Sequence, residues 1–239
     1  MYDICYLFLQ FIIYAFLGWI VETVWVWFCT KKLVDRGFLI GPYCPIYGVG
    51  VLLIVNFLKD YMNNFLVLFI LAMVICMVLE YITSYLMEKI FNARWWDYSE
   101  RKFNINGRIC LETAIPFGIG GIIIMYIVNP FIIDILNMLS IKFAIILGII
   151  LGFIFVIDLI ISFSVIFKFR NADFTKFKDD TEEMSRRVRE YLSEHSFLTK
   201  RLINSYPDVK IRIEEFKKIM GRRIEKYNKY RNKKSINSK

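Results

Sequence analysis

The chain has 239 residues, of which 57% are hydrophobic, and its mean hydropathy is +0.47. Soluble domains are about 45–50% apolar, so this composition excludes an ordinary soluble protein and indicates a membrane protein. The net charge of +9 is unevenly distributed: residues 1–167 carry 10 basic and 11 acidic side chains, whereas residues 168–239 carry 21 basic and 11 acidic ones. We therefore predict a transmembrane bundle over residues 1–168 and a basic cytoplasmic helical tail over residues 169–239.

Five apolar stretches dominate the first region. A bilayer core about 30 Å thick needs about 20 apolar residues per helix, and all five approach that length. We therefore predict an all-α polytopic membrane bundle of about five transmembrane helices. The second stretch is short and starts in a Gly/Pro-rich sequence, which leaves open a broken or re-entrant start at membrane depth. The stretches cover approximately residues 4–28, 44–58, 63–90, 110–128 and 141–167.

Basic residues alternate between the loops that join these stretches. The first loop holds Lys31, Lys32 and Arg36, and the third loop holds five basic residues. The second loop holds only Lys59, and the fourth holds only Lys142 at its end. Because basic loops stay on the cytoplasmic side, we predict a multi-pass cell-membrane protein with its N-terminus outside and its C-terminus in the cytoplasm. The first stretch lacks a basic start and a cleavage site, so it is predicted to be a retained helix.

The basic tail has the periodicity of amphipathic helices. Two apolar stripes at helical spacing flank Pro207, and the basic segment from Tyr230 to Lys239 is predicted to be disordered. The charge is consistent either with contact to anionic lipid or a partner, or with a solvated face that only obeys the positive-inside rule. No nucleic-acid-binding motif is evident. The two stripes consist of Met184, Val188, Tyr191 and Leu192, and of Ile213, Phe216, Met220 and Ile224.

Four acidic residues interrupt the apolar stretches: Glu22, Glu80, Glu112 and Asp158. A carboxylate in hydrocarbon costs a few kcal/mol, so such residues usually face a bundle interior or a wet cavity. In the predicted orientation all four lie in the cytoplasmic half of the membrane. Glu112 also has a structural explanation, because the helix dipole favours an acid near a helix start. Asp158 is equally well explained by interhelical hydrogen bonds shared with Ser162 and Ser164 on the same span.

Three arginines flank the same predicted face and are candidate partners for these acids: Arg36, Arg94 and Arg108. The planar guanidinium group binds carboxylates or phosphates through two parallel hydrogen bonds. We predict that Glu22 and Glu80 face one shared polar cavity, with one of these arginines in contact. The alternative is that a Glu–Arg pair only locks the helix packing.

Two loop segments carry most of the remaining polar and aromatic residues, at residues 36–50 and 80–108. The tryptophans of the second segment resemble an interfacial belt, but a belt does not require the polar residues interleaved with them. Aromatic and arginine side chains at this depth are suited to hold a lipid head group or another amphipathic molecule. The predicted substrate-binding residues are Glu22, Arg36, Tyr43, Glu80, Arg94, Trp96, Asp97, Asn106, Arg108 and Glu112.

Cofactor and metal motifs are absent from the sequence. The five cysteines are odd in number and show no CxxC spacing, which favours reduced packing residues over a disulfide framework; only Cys44 lies in a Gly/Pro-rich motif. The sole histidine, His195, lies in the tail. No GxxxxGK[ST] phosphate loop is present, so any ATP hydrolysis requires a separate subunit. We predict no cofactor and no metal.

The two segments RGFLIGPYCPIYGVG and EYITSYLMEKIFNARWWDYSERKFNINGRICLE, at residues 36–50 and 80–112, resemble the signatures of the putative ABC-transporter type IV family, the CmpB-like bacterial membrane proteins. The resemblance covers roughly residues 8–165, and the tail segment at residues 201–207 is also similar. It implies a permease-like component of a transport system, working with a separate ATPase subunit. A homodimer would supply further helices for a transport pathway. Two other classes stay open, a non-catalytic membrane scaffold or regulator and, less favoured, an enzyme that modifies lipid head groups.

Overall fold

The computed structural model describes residues 2–31, 37–91, 93–171 and 210–211. A short 3-10 turn, Lys59–Tyr61, precedes the third helix, and a π-helical turn, Ile124–Val128, joins the fourth helix to the fifth. The helices are α1 (Tyr2–Thr30), α2 (Pro45–Phe57), α3 (Phe65–Phe91), α4 (Leu111–Ile123), α5 (Asn129–Asn137) and α6 (Ile141–Asn171). The strands are β1 (Ala93–Arg94), β2 (Asn104–Ile105), β3 (Ile109–Cys110) and β4 (Lys210–Ile211).

Among the described residues, four helical segments are long and apolar enough to cross a membrane, which confirms the predicted all-α membrane bundle. They are α1, α3, α6 and the continuous segment Leu111–Asn137 formed by α4, the π-helical turn and α5. The predicted stretch at residues 44–58 is instead the 13-residue helix α2. At about 1.5 Å per residue, α2 is too short to cross the bilayer core alone.

Helix α2 starts halfway along its neighbour α1. The backbone N–H of Cys44 donates to the carbonyl of Ala15 at 2.9 Å, and Ala15 is in the middle of α1. The helix then runs antiparallel to the first half of α1, so closely that a Cβ at Gly48 would lie 2.7 Å from the carbonyl oxygen of Phe11. Residues 37–44, which we call the re-entrant segment, therefore lead the chain to mid-depth before α2 completes the span. A side chain in place of the Gly48 hydrogen would separate the two helices.

Close approach through small residues also holds α3 against α4. A Cβ on Gly121 would lie 2.4 Å from the Cβ of Ala72, so only glycine permits this contact between the two helices. Farther along the same bundle, the hydroxyl of Tyr14 on α1 donates to the side-chain carbonyl of Asn129 at 2.6 Å. That bond satisfies two polar groups that would otherwise be costly inside an apolar bundle.

A compact hairpin connects α3 to α4, and we call residues 95–110 the hairpin segment. Strands β2 and β3 pair antiparallel, with Ile105 opposite Ile109. Asn106 and Gly107 have φ values of 54° and 66°, the left-handed conformation that a tight I′ turn requires at both positions. The backbone N–H of Arg108 closes the turn on the carbonyl of Ile105 at 3.0 Å. The turn therefore fixes the position of Arg108 beside α3.

In the described part of the chain, a short strand pairing joins the predicted tail to the bundle. Strand β4 pairs antiparallel with β1, so that Ala93 faces Ile211 and Arg94 faces Lys210. The two predicted amphipathic tail helices and the basic C-terminal segment lie outside the residues that the structure describes. The division of the chain at residue 168 therefore stays a prediction.

Candidate functional site

Helix α1 presents Glu22 to the start of α2. Gly18 and Glu22 are four residues apart and so lie on the same face of the helix. At Gly18 the chains approach so closely that an added Cβ would lie 2.3 Å from the Cβ of Tyr47. Because of this approach, the hydroxyl of Tyr47 donates a hydrogen bond to the carboxylate of Glu22. Tyr47 is in the first turn of α2, where the partial positive charge of a helix N-terminus favours a nearby carboxylate.

A polar stripe runs along the buried face of α3. Glu80, Ser84 and Glu88 recur every four residues, and all three are buried. This spacing places them one above the other on the helix, facing inward. Tyr81 and Tyr85 follow the same spacing on the adjacent face. The apolar part of α3 is thereby interrupted over its last three turns by groups that need hydrogen-bond partners.

The hairpin segment supplies the partner for Glu80. The hydroxyl of Tyr98 donates to Glu80 Oε1 at 3.1 Å. Burial raises the pKa of Tyr98 well above its usual range, and the nearby carboxylates of Glu80 and Glu22 raise it further. Both carboxylates therefore lie close to one phenol, although they come from different helices. We call Glu22, Tyr47, Glu80 and Tyr98 the tyrosine–glutamate cluster.

Glu80 is only half satisfied. Its side chain is 7% exposed, and among the residues that the structure describes its Oε2 atom has no hydrogen-bond partner. No ion pair to Glu80 occurs within the described ranges either. A buried carboxylate with an unpaired oxygen is costly, so the group must be neutralised by a proton or by a positively charged ligand.

Arg108 does not pair with the cluster acids. Its guanidinium lies 2.8 Å from the carboxylate of Glu88 and 3.3 Å from the hydroxyl of Ser84. It also stacks over the rings of Tyr81 and Tyr85, at 5.8 and 5.4 Å from their centroids. Both charged side chains are 10% exposed, so this is a buried ion pair. Arg108 was one of three arginines predicted to contact Glu22 or Glu80, and it pairs with Glu88 instead. Glu88 was not a predicted site residue, because an acid near the membrane boundary needs no special explanation.

Asp158 on α6 binds the re-entrant segment. Its Oδ1 accepts from the backbone N–H of Ile40 at 2.9 Å and its Oδ2 from that of Gly41 at 2.7 Å. The hydroxyl of Tyr43 donates to Oδ2, and that of Ser162 donates to Oδ1 at 2.8 Å. Irregular backbone at membrane depth needs such partners for its N–H groups. The bond from Ser162 lies within α6, and Ser164 donates to the carbonyl of Ile160 on the same helix at 2.6 Å.

The other predicted site residues have separate environments. Trp96 donates to the backbone carbonyl of Arg108 at 3.1 Å, and Asn106 donates to the hydroxyl of Tyr81 at 2.9 Å. The carboxylate of Asp97 accepts from the backbone N–H of Ser99 at 3.0 Å. These three therefore shape the hairpin segment, while Tyr43 serves the re-entrant segment.

Glu112 is exposed, unlike the acids of the bundle interior. Its side chain is 63% exposed and lies 3.0 Å from Arg101, as expected for an acid at a helix start. Arg36 lies outside the described residues, and so does the side chain of Arg94. Whether the predicted site residues act together stays a prediction.

Sequence reasoning missed Tyr47, Tyr98, Ser84 and Glu88. The last two carried a signal, because they continue the four-residue spacing that begins at Glu80. The two tyrosines carried none, since each bonds an acid on another element. The hydrogen bonds Tyr47–Glu22 and Tyr98–Glu80 span 25 and 18 residues, distances over which helical periodicity says nothing.

The chemistry of the cluster is that of oxygen groups alone. Within the described ranges no three His, Cys, Asp or Glu side chains form a group able to hold a metal ion. Two carboxylates, each bonded by a phenol, are suited to hold a proton or a cationic group.

Comparison with known proteins identifies the family. The family described as "Putative ABC-transporter type IV" matches residues 9–163. No curated protein and no solved structure matches the chain. The match covers well over half of the sequence and includes all four long apolar helices except the end of α6 and the start of α1. The chain belongs to this family.

Proposed function

We propose that this member of the type IV ABC-transporter family is a permease-like membrane component whose tyrosine–glutamate cluster is the polar site that handles the substrate. The supporting observation is the buried, half-satisfied carboxylate of Glu80 beside the broken span formed by the re-entrant segment and α2. Transporters commonly build their sites where a membrane helix is interrupted, because the helix ends leave backbone groups available to a ligand.

The contrast with Asp158 supports the assignment of the site to Glu80. Asp158 accepts four hydrogen bonds through its two oxygens, which is what an acid with a purely structural role needs. Glu80 accepts one hydrogen bond, through Oε1. Burial of its Oε2 atom without a partner is costly unless the negative charge of the carboxylate is neutralised. Asp158, with all its hydrogen bonds made, holds the backbone of the re-entrant segment. Glu80, with one oxygen unbonded, is available to bind a ligand.

The chain needs a source of energy for transport, and its sequence has no phosphate loop. We infer an ATPase subunit as partner. The test is purification of the tagged, full-length protein in mild detergent, followed by ATP hydrolysis in proteoliposomes by whatever complex is recovered. Glu80→Gln should lower transport-dependent hydrolysis by about tenfold, about 1.4 kcal/mol in the barrier. Glu100→Gln, which changes an exposed acid of the same type, should leave it unchanged.

Two results would contradict the permease role. One is recovery of the protein without an ATPase subunit under conditions that preserve its fold. The other is an ATPase complex whose activity responds equally to both substitutions. Full activity of an associated pathway in the Glu80→Gln variant would favour the alternative role of a non-catalytic scaffold. Turnover of a lipid that depends on Glu80 would favour the head-group-modifying enzyme.

We also propose that the N-terminus is outside and the C-terminus is in the cytoplasm. The uneven distribution of basic residues supports this, because the loops rich in Lys and Arg alternate with loops that hold one. A topology reporter fused after Lys239 should be active only in the cytoplasm, and one inserted at Asn63, just before α3, only outside. The opposite pair of signals would invert the orientation and place the cluster in the outer half of the membrane.

A further inference from the structure

We propose that Glu80 is a proton-binding switch: it is neutral in the closed arrangement described here, and its ionisation opens the tyrosine–glutamate cluster. This goes beyond the proposed function, because it requires no ATPase subunit and defines the ligand of the site as a proton. It is carried by the burial of Glu80, by its unpartnered oxygen and by the charges around it.

The Oε2 atom of Glu80 is out of contact with solvent in the closed arrangement. Within the described part of the chain, this atom accepts no hydrogen bond. A metal ion or an organic cation would need room and several further ligands, as would a water molecule. A proton on Oε2 needs neither, and it removes the charge that hydrocarbon disfavours.

The charges around Glu80 do not neutralise it. Among the described basic side chains, Arg108 of the hairpin segment is bound to Glu88, and Arg101 is bound to Glu112 at the surface. Lys89 at the end of α3 and Lys102 in the hairpin segment are exposed. The acids, phenols and thiols on the elements around Glu80 include Glu22, Tyr47, Cys76, Tyr98, Cys110 and Asp158. None of these groups supplies a positive charge to Glu80.

The switch follows from the balance of the ionisation step. Ionisation needs a water molecule at Oε2 of Glu80: when water reaches this atom, the O–H bond breaks, the electron pair stays on the carboxylate and the proton passes to that water, which becomes hydronium. The new carboxylate then needs donors that the closed cluster lacks at Oε2. Water must enter, and the hairpin segment that carries Tyr98 must separate from α3 to admit it. Neutral Glu80 therefore favours the closed cluster, and ionised Glu80 favours an open one.

Cys110 provides a native reporter of this opening. It is 1% exposed and lies in the hairpin segment, where it faces Asn104 across the pairing of β2 with β3. The full-length protein, in nanodiscs, is labelled with a maleimide over a range of pH in a background where the other four cysteines are replaced by alanine. The labelling rate is compared between Glu80 and the permanently neutral Glu80→Gln, with Glu100→Gln as the matched control at an exposed acid of the hairpin segment. The comparison cancels the pH dependence of the thiol itself.

The ratio of the wild-type rate to the Glu80→Gln rate should rise with pH by up to about tenfold per unit, the limit for one ionising group. The ratio of the wild-type rate to the Glu100→Gln rate should stay at one. In pH-difference infrared spectra, the carbonyl band of a protonated carboxylic acid should be present in the wild type and absent from Glu80→Gln. Tyr98→Phe, which removes the donor to Glu80, should shift the frequency of that band. This second variant provides the test if Glu80→Gln does not fold.

Three outcomes would overturn the proposal: a wild type without the protonated-acid band, a band that neither substitution changes, or a band without the pH-dependent change in labelling. None of these depends on recovery of an ATPase subunit. A protein that shows the band and the labelling change but binds no ATPase would support the switch while contradicting the permease assignment.

Discussion

The intramembrane acids differ in how completely their oxygens are satisfied, and this separates their roles. Asp158 accepts bonds from two backbone N–H groups and two hydroxyls, whereas Glu80 accepts one from a hydroxyl. The sequence identified both residues by the same anomaly, an acid in an apolar stretch. It could not separate them, because the donors of Asp158 are more than 110 residues away along the chain, apart from the nearby Ser162.

Replacing Tyr98 by phenylalanine tests the contact between the hairpin segment and Glu80. The substitution removes the only donor to Glu80 within the described residues, so it should lower the free energy of unfolding by about 1–3 kcal/mol at neutral pH. The folded protein holds the pKa of Tyr98 above its ordinary value of 10.0, so the stability contributed by the neutral phenol is present below pH 10 and lost as the pH rises further. The difference between wild type and variant should therefore narrow in alkali.

The measurement is unfolding in detergent at several pH values. Tyr61→Phe is a matched control at an exposed tyrosine, and it should change stability by less than about 0.5 kcal/mol. A Tyr98→Phe variant as stable as the wild type at neutral pH would show that the phenol does not support Glu80.

The pair Glu88–Arg108 should behave as one unit. Removing one partner of a buried ion pair costs about 3–5 kcal/mol, because the other charge stays buried. Glu88→Gln and Arg108→Met should each destabilise the protein strongly, and the double variant should cost less than the sum of the two. Glu22→Gln with Arg108→Met should instead be additive, since the guanidinium contacts Glu88 and Ser84. Strong coupling in the second cycle, with none in the first, would contradict the ion pair described here.

At the scale of elements, the broken span is the feature that positions the site. The shortness of residues 44–58 and the glycines and prolines before them indicated an irregular start. The depth of that start could not be predicted, because it is set by one bond from Cys44 to Ala15 and by the acid on α6 that holds Gly41. Hydrophobic periodicity predicts which face of one helix is buried. It does not predict which other helix supplies hydrogen-bond partners to a loop.

Replacing Asp158 by asparagine should loosen the re-entrant segment. The amide would present its NH₂ group to one of the two backbone donors, Ile40 or Gly41, and leave that N–H unpaired. Hydrogen bonds to charged groups contribute about 1.5–3 kcal/mol each, so local opening should become at least about tenfold more frequent. The buried Cys44, retained as the only cysteine, should then react faster with a maleimide.

Ser164→Ala is the control for Asp158→Asn. Its hydroxyl bonds only the carbonyl of Ile160 on the same exposed face of α6, so Cys44 should react as in the wild type. Equal labelling of Cys44 in both variants would show that Asp158 does not hold the re-entrant segment.

At the scale of the whole molecule, composition and hydropathy were sufficient to predict the membrane bundle. Three of the predicted spans match long helices closely, and the fourth, at residues 110–128, continues to Asn137. It continues because Pro130 takes the first turn of α5, where a proline costs nothing, and the π-helical turn carries the chain past it. The pairing of β1 with β4 was not predicted, because a two-residue strand has no periodicity to detect.

That pairing sharpens the test of the division between bundle and tail. A chain that ends after Arg170 loses the partner of β1, whereas a chain that ends after Arg212 retains Lys210 and Ile211. Both should give a folded bundle, because membrane helices satisfy their backbone hydrogen bonds internally. Both should bind anionic vesicles more weakly, since the shorter chain lacks 19 and the longer chain lacks 10 of the 21 basic residues after position 167. The shorter chain should in addition be more prone to aggregate, because it exposes the unpaired edge of β1. Size-exclusion profiles and vesicle binding distinguish these effects, and a shorter chain that does not fold while the longer one does would make strand β4 part of the bundle.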